Sequence, residues 1–168
     1  MKTNFKDDLK EGQEYEKIVG AYMTKRFNWI VDRYQTGKNS DWDILFTNGK
    51  SIEVKSDTFQ SNNILFEYRC NNIPSCISVS KSTLWFNIFP NHNQIWMFNT
   101  KTLRDWLKEM WLKGEISRVP AGDGKRAECY IIDRDELKDI YPFWMKVEYI
   151  ECNKRLARIN KLKRICGY

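Results

Sequence analysis

Residues 40–57 read SDWDILFTNGKSIEVKSD, and this stretch decides the fold. Two short strand-like runs, 41–46 and 51–55, flank Thr47-Asn48-Gly49, a strong hairpin signal. With a three-residue loop, Gly49 takes the left-handed position that a bulged hairpin needs. Phe46 then faces Lys50, Ile44 faces Ile52 and Asp43 faces Glu53. Directly opposed residues share a face. Trp42, Ile44, Ile52 and Val54 therefore point to one side, and Asp41, Asp43, Glu53 and Lys55 to the other. A two-residue Asn48-Gly49 loop would put Asp43 on the face of Val54 and would separate apolar from charged residues less well.

Working outward, residues 12–27 are expected to form a helix, with Tyr15, Ile18, Val19, Tyr22 and Met23 on one face. Strands are expected over 29–34, 64–69, 84–89, 94–98 and 128–132, with turns at 71–74 and at Pro90-Asn91-His92-Asn93. Residues 80–83 (SKST) are expected to begin a short helix. A longer helix is expected over 100–113, capped by Thr100 or Thr102 and striped by Leu103, Trp106, Leu107 and Met110. Residues 121–125 form a loop, 133–136 open a short polar turn or helix, and 146–165 form a final helix. The order implies one α/β (α+β) domain over residues 1–168, with a central mixed β-sheet flanked by helices.

The bulk properties narrow the function. Aromatic residues make up 14% of the chain, including seven Trp, which excludes a largely disordered chain. Trp96, Trp106 and Trp111 are expected in the core. The five cysteines (70, 76, 129, 152, 166) are odd in number and form no CxxC pair. That pattern argues against both a disulfide framework and a zinc knuckle and points to reduced thiols in an intracellular, cytoplasmic setting. The polar N-terminus carries no signal-peptide pattern, and no apolar run is long enough to span a bilayer, so no membrane partner is expected. His92 is the only histidine and sits in a turn, so a His-metal cluster is excluded, a His-centred triad would rest on it alone, and hydrolytic chemistry is expected from carboxylates and a metal.

The net charge of +6 is concentrated in residues 151–168, where six basic residues stand against Glu151 alone. Leu156, Ile159, Leu162 and Ile165 recur every three residues there, while Lys154, Arg155, Arg158 and Lys161 fall between them. Such a basic amphipathic helix suits sequence-independent phosphate contacts, or is simply a solvated terminal helix.

The charged face of the hairpin carries the chemistry. Two adjacent carboxylates repel and raise each other's pKa unless a cation lies between them. Mg²⁺ fits, being content with one or two carboxylates plus water and phosphate. Lys55 follows Glu53 by two residues on the same face, where an ammonium can orient a water or neutralise charge on a phosphorane. The same residues could also be the solvated side of an ordinary hairpin, since a lone E-x-K is common.

With Asp43 on one strand and Glu53-Val54-Lys55 on the next, this stretch resembles the core of the PD-(D/E)XK nuclease superfamily. Gly12-Gln13-Glu14-Tyr15-Glu16-Lys17 is similar to the G-x-x-x-E-(R/K) helix of archaeal-type Holliday-junction resolvases and their phage relatives. By that spacing Glu16 is the helix glutamate that helps hold metal or water, with Glu14 in reserve. Residues 63–68, Ile73-Pro74-Ser75 and Ser80-Lys81 are similar to phage-encoded nucleases of the superfamily, and the match covers residues 12–86. Trp42 stands where the family often has Pro, Cys76 where relatives have a small Gly, and Ser82-Thr83 where Ala-Asp is usual.

The resemblance implies a restriction-endonuclease-like core and a Mg²⁺-dependent DNA endonuclease, with Mn²⁺ able to substitute. Asp43, Glu53 and the Val54 carbonyl would hold the metal, Lys55 would act on the water, and Glu16 would assist. Lys81, Lys154, Arg155, Arg158 and Lys161 would contact DNA, with Glu67 either lining the pocket or exposed on its strand. A Holliday-junction or branched-DNA resolvase requires a homodimer to place two symmetric nicks. The alternatives are a restriction-like or DNA-degrading nuclease, phage-encoded and acting in the host cell, and a non-catalytic DNA-binding module that keeps the fold.

Overall fold

Ile44 pairs with Ile52 and Leu45 with Ser51, so the hairpin takes the three-residue register. These positions come from a computed structural model that describes residues 5–35, 41–140 and 148–151. Phe46 N donates to Lys50 O and Gly49 N to Phe46 O, both at 2.9 Å. Gly49 holds φ at 77°, a conformation that any Cβ would strain.

The chain opens with α1 (Phe5–Phe27), then β1 (Val31–Tyr34), β2 (Ile44–Phe46) and β3 (Ser51–Ser56). Next come β4 (Asn63–Cys70), β5 (Ile73–Pro74), β6 (Leu84–Phe89) and β7 (Gln94–Asn99). The remaining elements are α2 (Thr100–Leu112), β8 (Ser117–Ala121), β9 (Ala127–Asp133), α3 (Arg134–Ile140) and β10 (Glu148–Glu151). Six strands form a mixed sheet in the order β1-β2-β3-β6-β7-β10, and four form a second sheet in the order β5-β4-β9-β8. The site strand β3 is thus interior, antiparallel to β2 on one edge and parallel to β6 on the other.

Strand alternation sends side chains into two cores. Phe86, Ile88, Ile95 and Met97 of the six-stranded sheet join Ile44 and Ile52 beneath Val19 and Met23 of α1. Trp85, Phe89, Trp96 and Phe98 point the other way, packing with Ile64, Phe66, Tyr130 and Ile132 of the second sheet and Leu103, Trp106 and Leu107 of α2. Each such side chain contributes about 1.5–3 kcal/mol before the cost of ordering it, so packing rather than strand propensity holds these short strands. Gly20 brings α1 close to β1: a Cβ there would lie 2.5 Å from the Tyr34 hydroxyl and 3.2 Å from Val31 Cγ2.

Several expectations are corrected. Residues 80–83 are not helical. Ser80 Oγ and Ser82 Oγ lie 2.9 Å apart, as do Ser82 Oγ and Thr100 Oγ1, while Thr83 N donates to Ser51 O at 2.8 Å. These bonds hold the segment extended between the sheet and α2. The cap of α2 is Asn99, whose side chain accepts from Thr102 N. The final helix expected over 146–165 is replaced at Glu148–Glu151 by β10, antiparallel to β7. The rest of that expected helix, with Lys154, Arg155, Arg158 and Lys161, lies outside the described residues. Trp111 is 36% exposed and covered by the Arg118 guanidinium, 3.3 Å from its ring centroid. Among the described residues, no helix is long and apolar enough to cross a membrane.

Candidate active site

The regular ladder between β2 and β3 ends one residue before the carboxylates. Asp43 N donates to Ile52 O at 2.8 Å, a step out of register, so Asp43 does not simply face Glu53. Its carboxylate Oδ2 instead accepts the Val54 N–H at 2.7 Å. An aspartate side chain here replaces the carbonyl that a continuing β2 would have supplied.

Glu53 and Lys55 lie in register with Trp85 and Asn87 of β6 and share their face. Because β6 covers that edge, Glu53 is 6% exposed rather than on a wet side of the hairpin. Its Oε1 lies 2.5 Å from Lys55 Nζ, and its Oε2 is buried without a hydrogen-bond partner. The Lys55 ammonium also sits 5.8 Å from the Trp85 ring centroid.

The charges of these groups act on one another. Burial and the neighbouring Asp43 charge raise Glu53 above the usual carboxylate range, against the pull of Lys55. Burial acts to lower Lys55, but the charges of Glu53, Asp43 and Cys76 outweigh it and hold the ammonium protonated. Glu16, on α1, is pushed up to about 7, first by burial and then by Asp43. Glu53 also raises it, while Lys55 and Lys17 act in the opposite sense. Glu16 in turn raises Tyr34, after burial. The charge of Glu14 acts on Tyr15.

Glu16, Asp43, Glu53, Val54 and Lys55 are therefore brought together from α1, the start of β2 and β3. The Lys81 side chain is 73% exposed and paired with Asp41 at 2.8 Å. Glu67 is half-buried rather than exposed. Its Oε1 accepts from Ser75 Oγ at 2.6 Å and Cys76 Sγ at 3.3 Å. Burial pushes the Cys76 thiol up to about 12, with Glu67 adding to it against Lys55. Cys76 holds φ at 44°, a conformation that favours glycine.

A cleft of about 290 Å³ opens beside Lys55, between residues 55–59 and the Leu65, Glu67, Cys129 side of the second sheet. Asn87 lines it and was not anticipated as a site residue. The available signal was a lone polar residue in the apolar run Leu84-Trp85-Phe86-Asn87-Ile88-Phe89.

Among the described residues, no group of three or more His, Cys, Asp or Glu side chains is arranged to hold a metal. A site here would rest on two carboxylates, with oxygens of water, backbone and phosphate filling the shell. That is a donor set Mg²⁺ accepts and Zn²⁺ does not favour. The orphaned Glu53 Oε2 is the atom such a cation would satisfy. No family model, curated protein or solved structure matches this chain.

Proposed function

We propose that this chain is a Mg²⁺-dependent DNA endonuclease with a restriction-endonuclease-like core. One observation carries the reading. A buried carboxylate with an unsatisfied oxygen, Glu53, is ion-paired to Lys55 and crowded by Asp43 and Glu16. A structural role does not explain why three carboxylates converge on one lysine. Their mutual repulsion is costly until a cation and a phosphodiester complete the site.

Asp43, Glu53 and the Val54 carbonyl would hold Mg²⁺, with Mn²⁺ as a substitute. When bound, the metal supplies Lewis-acid polarisation of the phosphate and a more acidic water. Lys55, held protonated, acts as a charge stabiliser at Nζ and opposes the negative charge that builds on the phosphoryl oxygens. It is not the base. Glu16 is the better proton acceptor, since a carboxyl that titrates near 7 is matched to neutral-pH chemistry. By the sequence resemblance, the products carry 5′-phosphate and 3′-hydroxyl ends. Branched DNA acted on by a homodimer is the leading substrate and assembly, and a phage-encoded enzyme working in the host cytoplasm the leading setting.

The test is cleavage of supercoiled plasmid, linear duplex, single-stranded and four-way-junction DNA in Mg²⁺ and in EDTA. Wild type should cleave at least one of them only with metal, and Lys55→Ala should not. Absence of cleavage together with no Mn²⁺ binding by calorimetry at millimolar concentration would favour a non-catalytic DNA-binding module.

A further inference from the structure

We propose that the cleft beside Lys55 receives one unpaired base of the DNA, so that the protein prefers DNA carrying an extruded nucleotide next to the cut. This rests on the nuclease reading above and names its substrate class.

Size comes first. At about 290 Å³ the cleft sits at the bottom of the ~300–1,000 Å³ range of small-ligand sites, enough for one base and too little for two. Leu65, Trp85 and Ala127 give its walls apolar surface, and Asn87 and Glu67 are among the polar side chains that line it. Asn87 is 3% exposed, and its Oδ1 is occupied by the Trp85 indole N–H at 2.7 Å. Its amide nitrogen is the side chain's other polar group, a donor. Glu67 Oε1 is occupied by Ser75 and Cys76, leaving Oε2 as an acceptor. An amide donor and a carboxylate acceptor in one cleft suit the edge of a base that carries an exocyclic amine beside a ring or carbonyl acceptor, as cytosine does.

The mouth of the cleft supports the same occupant. Phe59 is 71% exposed there, a large apolar side chain held out in water. It is not on a loose loop. Asp57 N donates to Ile88 O at 2.9 Å, Asn91 Nδ2 donates to Thr58 O, and Phe59 N donates to Asp57 Oδ1 at 2.8 Å. Farther along, the buried Arg134 donates to Asn62 O at 3.0 Å and Ser61 O at 3.1 Å. The loop is built to present that ring, and a base entering the cleft would stack on it.

Charge distinguishes a base within a polymer from a free nucleotide. Among the described residues Lys55 is the one cation lining the cleft, beside the acids Asp57 and Glu67, and it is already paired with Glu53. The lining therefore cannot neutralise a free nucleotide's phosphate by itself. Lys55 belongs to both the cleft and the candidate active site, so a base in the cleft carries its neighbouring phosphodiester to Glu53 and Asp43.

Fluorescence anisotropy in EDTA tests this without cleavage. Three otherwise identical duplexes are compared: fully paired, with one bulged cytosine, and with one bulged abasic residue. Wild type should bind the bulged cytosine about ten-fold more tightly than the other two, the size expected of one base–aromatic stack. Phe59→Ala and Glu67→Gln should each bring that ratio towards one. Both should keep the wild-type circular dichroism spectrum, since Phe59 is exposed and glutamine can still accept from Ser75. Equal wild-type affinity for the three duplexes overturns the inference, as does a preference that survives both variants. Calorimetric binding of deoxycytidine monophosphate without any bulge preference also overturns it, in favour of a free-nucleotide site. Plasmid cleavage in Mg²⁺ is scored separately. Cleavage without bulge preference removes this inference alone, whereas bulge preference without cleavage supports the base site and removes the nuclease reading.

Discussion

The carboxylate of Asp43 accepts the backbone N–H of Val54 at 2.7 Å, joining a residue just ahead of β2 to the strand that carries Glu53 and Lys55. This bond gives Asp43 two separable duties. One oxygen closes the end of the hairpin, and the carboxylate's charge faces the other acids.

The two duties respond differently to substitution. Asp43→Asn keeps an acceptor for Val54 and should stay within about 0.5 kcal/mol of wild-type stability. Asp43→Ala leaves a half-buried N–H unsatisfied and should cost about 1–2 kcal/mol. Both should lose Mg²⁺-dependent cleavage. Urea denaturation reads the first effect and plasmid nicking the second; full activity in Asp43→Ala would sink the assignment.

Removing Lys55 should do more than abolish activity. Lys55→Met strands the Glu53 carboxylate, 6% exposed, without its counter-ion. The cost should be about 2–3 kcal/mol, below the value for a fully buried pair because Lys55 itself is partly solvated. Its pH dependence has a definite sign. Without the ammonium, Glu53 rises further above its unfolded value of 4.5. A raised carboxyl favours the folded state at low pH and loses that contribution as pH rises. The deficit of Lys55→Met should therefore be larger at pH 8 than at pH 5, and Lys55→Arg should restore most of it. Thermal melts across that range check the trend.

Glu16 obeys the same linkage in the wild type. Its pKa is about 7 in the folded chain against 4.5 unfolded, so ionising it opposes folding between those values. In EDTA, Glu16→Gln should match wild-type stability at pH 4 and exceed it at pH 8. About 1 kcal/mol is expected, since a half-exposed group is screened by solvent. If Glu16→Gln is no more stable than wild type at pH 8, Glu16 is not crowded by Asp43 and Glu53 as described.

Gly20 supports Glu16 from one helical turn away. Gly20→Ala must displace the Tyr34 hydroxyl and press on Val31, which should cost about 1–3 kcal/mol. It should also lower cleavage by tilting α1, and with it Glu16, away from β3. Melting temperature and initial cleavage rate, measured on one preparation, test both effects. A variant as stable and active as wild type would show that α1 is not seated through this contact.

How much of this was legible in the sequence depended on range. The hairpin register was readable because the two-residue period and Gly49 are local features. It placed Glu53 and Lys55 on one face, whereas Asp43 arrives there through a slip in the ladder, and Glu16 was expected only from the resemblance to the resolvase helix. The burial of Glu53 was not readable. It is imposed by β6, whose parallel pairing with β3 is set by contacts made after an intervening excursion through β4 and β5. Residues 80–83 mislead for a related reason: their hydroxyls bond to one another and to Thr100 rather than capping a helix. At Glu148–Glu151 the free edge of β7 overrides the helical pattern. The cleft escaped notice because Glu67, Asn87 and Cys129 come from three different strands.

The placement of β6 also sets the order in which the site can mature as the chain folds. A hairpin such as β2–β3 closes in about 1–10 μs, whereas a parallel pair across a long crossover is slower. Glu53 and Lys55 are first neighbours on a wet ribbon, where such an ion pair is worth about 0–1 kcal/mol. Only when β6 docks, bringing Trp85 over Lys55 and Asn87 beside it, do the carboxylates leave water. The expense of drying the site therefore falls on the docking step.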